Sequence, residues 1–353
     1  MDRHAKALEI LHAGTVIPAI PLALDANRTF DAHAQRRLVR YYLDAGVGGV
    51  AVAVHTTQFE IRRPEINLFR PVLAIVKEEI DAFETRTGKV IIRVAGVCGE
   101  TPQAVQEAQT AKELGFDAVL VSPGGLAAYS EQQLLERTRA IAAVRPVIGF
   151  YLQPSVGGRR LSFEYWRALA DIEGVAAIKS APFNRYETLD LVRGCAFSKR
   201  SDDVALYTGN DDNIVVDLLT PYHFTVNGRH VVKRFVGGLL GHWSVWTHRV
   251  VELFEQIKPY QNSETIPAEL LTLGAEITDC NGVFFDVAND FAGCIPGVHE
   301  ILRRQGLLSG TWCLDANETL SDGQSAEIDR VYASYPQLND DAFIAQHLTE
   351  WNA

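Results

Sequence analysis

The chain has 353 residues, 47% of them hydrophobic and 22% charged, and a formal net charge of −11. Those proportions exclude a disordered or fibrous polymer, and the acidic balance argues against nucleic acid or an anionic membrane as partner, since both reward clustered Lys and Arg. Small-molecule chemistry is the expectation that remains, and the length suits a barrel, which takes about 250 residues, with an appendage.

The opening MDRHAKALEILHAG contains no apolar stretch of the kind found in a secretory signal. The five cysteines (Cys98, Cys195, Cys280, Cys294, Cys313) are scattered, without CxxC or any metal-like spacing. They read as reduced thiols in a cytoplasmic protein. No segment reaches the roughly 18 uninterrupted apolar residues of a spanning helix.

From residue 15 onward, short apolar runs alternate with longer amphipathic stretches, the pattern of repeated βα units around a parallel sheet. The runs are TVIPAIPLAL (15–24), GGVAVAV (48–54), KVIIRVAGV (89–97), DAVLVS (117–122), PVIGFY (146–151), VAAIK (175–179) and VALYT (204–208). An eighth strand is expected within RHVVKRFVGGLLG (229–241), and eight close a (β/α)8 TIM barrel. Helical stretches lie between, such as TPQAVQEAQTAKELG, read with Thr101 as N-cap, Pro102 at N1 and Gly115 at the C-terminal end. Asn227-Gly228 between alternating apolar residues predicts an inserted hairpin near 221–234. The expected division is a barrel over 1–260 and a C-terminal helical region over 261–353, where the pattern turns wholly helical.

Catalytic side chains of such barrels project from the C-terminal ends of strands, so polar residues that end apolar runs are the candidates. Lys179 ends GVAAI. With its stem among apolar side chains, its amine would be pushed toward the neutral form that attacks carbonyls; from position alone it could equally snorkel to solvent. Tyr151 ends the preceding run and would neighbour Lys179, where a phenol could relay protons; a rim tyrosine is the plainer reading. Thr56 and Thr57 offer hydroxyls and backbone N–H groups that could seat a carboxylate, or they are a loop pair. His55 and His242 could each face the pocket, and Gly209, Asp211 and Asp212 follow the seventh strand.

Together these residues resemble the dihydrodipicolinate synthase / N-acetylneuraminate lyase family, over roughly residues 15 to 310. The resemblance lies in Thr56-Thr57 of AVHTTQFE, Tyr151 and Pro154 of FYLQPS, Lys179 of AAIKSA, the Gly209-x-Asp211-Asp212 turn and GGLLG (237–241). It implies a class I lyase, an aldolase or dehydratase, in which Lys179 forms a Schiff base with pyruvate or a pyruvate-derived 2-keto acid. Tyr151 would then relay protons and Thr56 and Thr57 would hold the carboxylate, with Gly209, Asp211, His55 and His242 at the substrate. No metal or organic cofactor is needed, since the protonated imine is the electron sink. A homo-oligomer, tetramer or dimer, is also implied.

Three departures qualify that reading. The family's Gly-Thr-Thr-Gly-Glu turn is His55-Thr56-Thr57-Gln58-Phe59-Glu60 here, so both glycines are gone and a different loop course is expected. The arginine that follows Tyr-x-x-Pro-Ser in the synthases is Val156, with Arg159 and Arg160 as possible substitutes, and Pro123-Gly124-Gly125 stands where the synthases carry a tyrosine pair. A true dihydrodipicolinate synthase is therefore not expected. A sugar-derived or aromatic 2-keto acid fits better. The rival readings are a non-catalytic metabolite-binding barrel of the same family and a metal-dependent barrel hydrolase; the ten histidines show no HxH at a strand end and no HExxH.

Overall fold

A computed structural model describes residues 2–352. Among the described residues ten strands form two sheets. In chain order they are β1 (Val16–Pro18), β2 (Gly49–Val52), β3 (Ile92–Val97), β4 (Ala118–Val121), β5 (Val147–Leu152), β6 (Val175–Ala181), β7 (Ala205–Thr208), β8 (Tyr222–Val226), β9 (Arg229–Lys233) and β10 (Phe235–Leu240). Eight of them make one all-parallel sheet in the order β1-β10-β7-β6-β5-β4-β3-β2. The ends meet through the Ala19–Ala51 bridge and the Ile20 N–H donating to the Ala51 carbonyl at 2.9 Å, which closes the (β/α)8 barrel.

The strands are buried on both faces, as parallel strands under a helical ring must be. Side chains alternate between two apolar layers. Ile17, Ala51, Val94, Leu120, Ile148, Phe150, Ala177 and Leu239 fill the barrel, while Val50, Val119, Tyr151 and Ile178 face the helices. Many interior positions are alanine (Ala19, Ala51, Ala118, Ala177, Ala181, Ala205), and two of them, Ala19 and Ala181, leave room at the mouth.

The first helix, Arg3–Ala13, plugs the N-terminal end of the barrel: Ala7 and Leu11 join the interior layer and the Tyr207 hydroxyl donates to the Leu11 carbonyl at 2.8 Å. Arg3 pins it by donating to Asp117 and Glu84. Nothing in the sequence reading anticipated this plug. Leu11→Ala is expected to cost about 2–5 kcal/mol of stability, read as a lower midpoint of denaturant unfolding at unchanged slope.

β8 and β9 pair antiparallel through Asn227-Gly228, both at positive φ (50° and 78°), which is the two-residue turn that suits a right-twisted hairpin. The eighth barrel strand is thus only the second half of RHVVKRFVGGLLG. One helix start also shifts: Glu100 precedes the helix Thr101–Glu113, so Thr101 is its first residue rather than its cap. After the barrel come helices Ala268–Phe284, Cys294–Arg304, Gln324–Ser334 and Asp341–Trp351. The last returns to the helix Ala32–Asp44, with the Trp351 indole N–H donating to Asp44 at 2.8 Å. Among the described residues no helix is long and apolar enough to cross a membrane.

Candidate active site

A cavity of about 560 Å³, counting its open mouth, lies at the C-terminal end of the barrel strands, where enzymes of this fold keep their sites. Lys179, Gly209, Asp211, His55 and Thr56 line it together with the apolar Ala19, Val54, Leu120, Phe150, Leu152, Val156, Ala181, Phe183 and Phe285.

Lys179 is only 7% exposed and points inward from β6 between Ala177 and Ala181. Its Nζ sits 4.4 Å from the centre of the Phe150 ring. Burial pulls the amine's pKa down, and the attraction of Asp211 opposes that pull. Asp211, itself 4% exposed, is pushed the other way: burial raises its carboxyl pKa, against Lys179 and against the His242 backbone N–H that donates to Oδ1 at 2.8 Å. The two groups share a low-dielectric space, and each limits how far the other departs from its ordinary state.

Gly209 belongs to the same arrangement. A Cβ there would stand 2.3 Å from Lys179 Cε and 2.9 Å from Ala181 Cβ, so the lysine stem lies directly over this glycine. His55 is half-buried at the cavity wall; burial, helped by the charge of Lys179, lowers its pKa to about 4, so the ring is a neutral donor and acceptor near pH 7.

Tyr151 is not at the amine, which corrects the expectation of a phenolic relay. β5 and β6 pair with Phe150 opposite Lys179, so Phe150 takes the inward position and the period of two turns Tyr151 to the helices. The phenol ring packs at a tilt of 30° on Trp166 with centroids 4.9 Å apart and donates to Glu187 Oε2 at 2.7 Å, while Arg160 holds Glu187 Oε1 at 2.9 Å. Tyr151→Phe is accordingly expected to lower stability by about 1.5–3 kcal/mol, the range for a hydrogen bond to a charged group, and to change activity less than tenfold. Thermal unfolding and initial rates on the same preparation check both.

Thr56 lines the cavity but Thr57 does not. The hydroxyl of Thr56 donates to the Ala19 carbonyl and that of Thr57 to the Ile20 carbonyl, both at 2.7 Å, so each hydroxyl proton is committed to the end of β1. His242 also turns away: its ring stacks on Phe284 and meets Asn281 across 3.4 Å, and only its backbone N–H serves the site, through Asp211. Arg159 donates to the Tyr129 and Ala127 carbonyls. Neither Arg159 nor Arg160 lines the cavity, whereas Val156 does.

The lost glycine of the threonine turn leaves a trace. Gln58 adopts φ 68°, a left-handed conformation natural to glycine. The Gln58 side chain accepts from the Leu314 N–H at 2.6 Å, a link to the C-terminal region that glycine could not make.

Several parts of the site were not foreseen. Phe285 and Cys294 reach the cavity from the C-terminal helices. Phe183 is held at φ 53° by its N–H donating to Asn210 Oδ1 at 3.1 Å, and Asn210 is fixed in turn by Asp217 and Thr188. Phenylalanine at positive φ persists only where its surroundings impose it, and such outliers gather at functional sites.

Against known proteins, the model of the "Dihydrodipicolinate synthetase family" matches residues 12–221, more than half of the chain. The chain belongs to the dihydrodipicolinate synthetase family. The match runs from β1 past β7 and stops just before the hairpin. N-acetylneuraminate lyase of Escherichia coli (strain SMS-3-5 / SECEC) is 27% identical over 207 residues, 58% of this chain and 65% of that protein. The chain thus spans about 65% of the length of the curated relatives it matches. Dihydrodipicolinate synthase from Oceanobacillus iheyensis superimposes with a TM-score of 0.74 at 16% identity, covering 95% of this chain and 100% of that one. The chloride-inhibited dihydrodipicolinate synthase from Acinetobacter baumannii, complexed with pyruvate, gives 0.72 at 18% identity over 92% and 99%. At those identities the structures speak for the fold.

Proposed function

We propose that this family member is a lyase that forms a Schiff base between Lys179 and pyruvate or a pyruvate-derived 2-keto acid. The observation that carries this reading is one buried lysine amine at the floor of the cavity, beside a carboxyl group and on the barrel's C-terminal face. Family membership and the lyase name of the E. coli relative support it.

In this mechanism the neutral amine adds to C2 of the ketone, and the carbinolamine loses water to give an iminium. Asp211, whose burial lets it hold a proton near neutrality, supplies the proton with which the hydroxyl leaves as water. Cleavage of the C3–C4 bond, or loss of a proton from C3, leaves an enamine whose electrons are held by the iminium nitrogen, and hydrolysis frees the amine. These steps ask for no metal or organic cofactor. Neutral His55 is placed to accept or return a proton at the mouth, and Thr56 to order the end of β1 beside the bound acid.

Incubating the protein with pyruvate and borohydride, followed by peptide mass spectrometry, tests the proposal. A reduced adduct on Lys179 is the expected result; a folded protein carrying none would overturn it and favour the non-catalytic binder, a reading helped by the outward phenol and the committed threonine hydroxyls. The metal-dependent hydrolase has less behind it: among the described residues no three His, Cys, Asp or Glu side chains gather at metal-binding distance. We read the protein as cytoplasmic, consistent with five free cysteines, four of them buried, and as a homo-oligomer, which sedimentation would establish.

A further inference from the structure

Apart from His55, Thr56, Gln153 and Cys294, the uncharged side chains of the cavity wall are apolar. Leu120 and Leu152 rise from β4 and β5, Val156 follows in the next turn, Phe183 leans in from the loop after β6, and Phe285 comes from the C-terminal region. Lys179, Asp211 and His55 are grouped electrostatically, His55 and Asp211 each feeling the charge of the amine. A polyhydroxylated arm would lose its water against those walls and find few partners, each unpaired hydroxyl costing about 1–3 kcal/mol. A carboxylate-bearing arm would meet Val156 with Arg159 and Arg160 both engaged elsewhere.

We infer that the arm of the substrate beyond the keto-acid carbons is an aryl group, seated between Phe183 and Phe285 and against Val156. Two phenylalanine rings from separate segments suit the edge-to-face and offset contacts that aromatic rings prefer. The backbone supports the same assignment: Phe183 is kept in a left-handed conformation by Asn210, and Asn210 is anchored to buried Asp217, so the ring is placed in the cavity at a cost in backbone strain. Phe183 also meets Phe291 edge-on with centroids 6.0 Å apart, which fixes its tilt.

This inference rests on the Schiff-base reading. In the condensation direction, C3 of the enamine forms the new bond to the aldehyde carbon, the aldehyde oxygen takes a proton, and water releases a 4-hydroxy-2-keto acid from the lysine. The experiment uses the full chain and pyruvate with three aldehydes: benzaldehyde, an aldotetrose and succinic semialdehyde. Borohydride trapping of pyruvate alone runs in parallel.

The expected result is pyruvate trapped on Lys179 and a kcat/KM for benzaldehyde at least about tenfold above both others, the discrimination an apolar pocket gives. Val156→Arg should lower the benzaldehyde rate about tenfold relative to its own trapping rate and raise that for succinic semialdehyde. Trapping with equal rates, or with preference for the tetrose or the semialdehyde, would overturn the aryl assignment and leave the lyase standing. Absence of trapping in the folded protein would overturn both.

Discussion

Lys179→Ala is expected to remove the borohydride-trapped adduct entirely and to lower turnover at least about a thousandfold, as loss of a covalent nucleophile does. The fold should survive. The lysine pays a desolvation cost that alanine does not, and Asp211, losing its positive neighbour, takes up a proton instead of standing as a lone buried charge. The sign of the pH dependence follows from the lowered pKa. An unfolded lysine titrates near 10.4, above the folded value, so the unfolded chain binds the extra proton between the two and this residue disfavours folding at neutral pH, an effect that fades as pH rises from the folded value to the unfolded one and is gone above it. The variant should therefore unfold at the same or a higher temperature than the parent at pH 7.

In the parent protein the rising limb of the trapping rate with pH should have a midpoint below that of free lysine. Asp211→Asn should move the midpoint lower still, because the carboxylate's attraction is what keeps the amine charged. A midpoint at the ordinary lysine value, or a shift upward in Asp211→Asn, would mean that the amine is not held in this buried pair.

Gly209→Ala is expected to be nearly as damaging to activity. The new methyl group would lie 2.3 Å from Lys179 Cε and 2.9 Å from Ala181 Cβ, distances at which something must move, and the flexible lysine stem is what can. A displacement of about 1 Å at a reacting atom costs on the order of a hundredfold in rate. The overpacking should also cost about 1–3 kcal/mol of stability. Gly282→Ala, in the helix Ala268–Phe284 where an added Cβ would meet nothing within 4 Å, is the matched control and should leave trapping and stability almost unchanged. Equal trapping in Gly209→Ala and the parent would show that the stem does not need this space.

The placement of the site was legible in part, for reasons that particular residues make plain. Runs such as VAAIK and VALYT, each followed by an amphipathic stretch, announce parallel strands under helices, and a lysine at the end of one of them is conspicuous whatever the fold's details. The asparagine-glycine turn declares its hairpin because φ > 0 at two consecutive residues demands such a pair.

The faces of β5 could not be read in that way. PVIGFY is apolar throughout because parallel strands are buried on both sides, so no polar-apolar alternation says whether Phe150 or Tyr151 looks inward. Pairing with β6 sets that parity, and it sends the phenol to Glu187. The same holds for contacts between distant segments. Gln58 with Leu314, Tyr207 with Leu11, and Phe285 at the mouth depend on how helices outside the βα repeat dock, and no local periodicity encodes that docking. By itself, then, the sequence determined the barrel, its strand ends and the candidate lysine, because local patterning and strand-end chemistry are properties of neighbouring residues. Tertiary packing alone decided which side chains face that amine and which walls surround it, because register and docking are set between segments far apart in the chain.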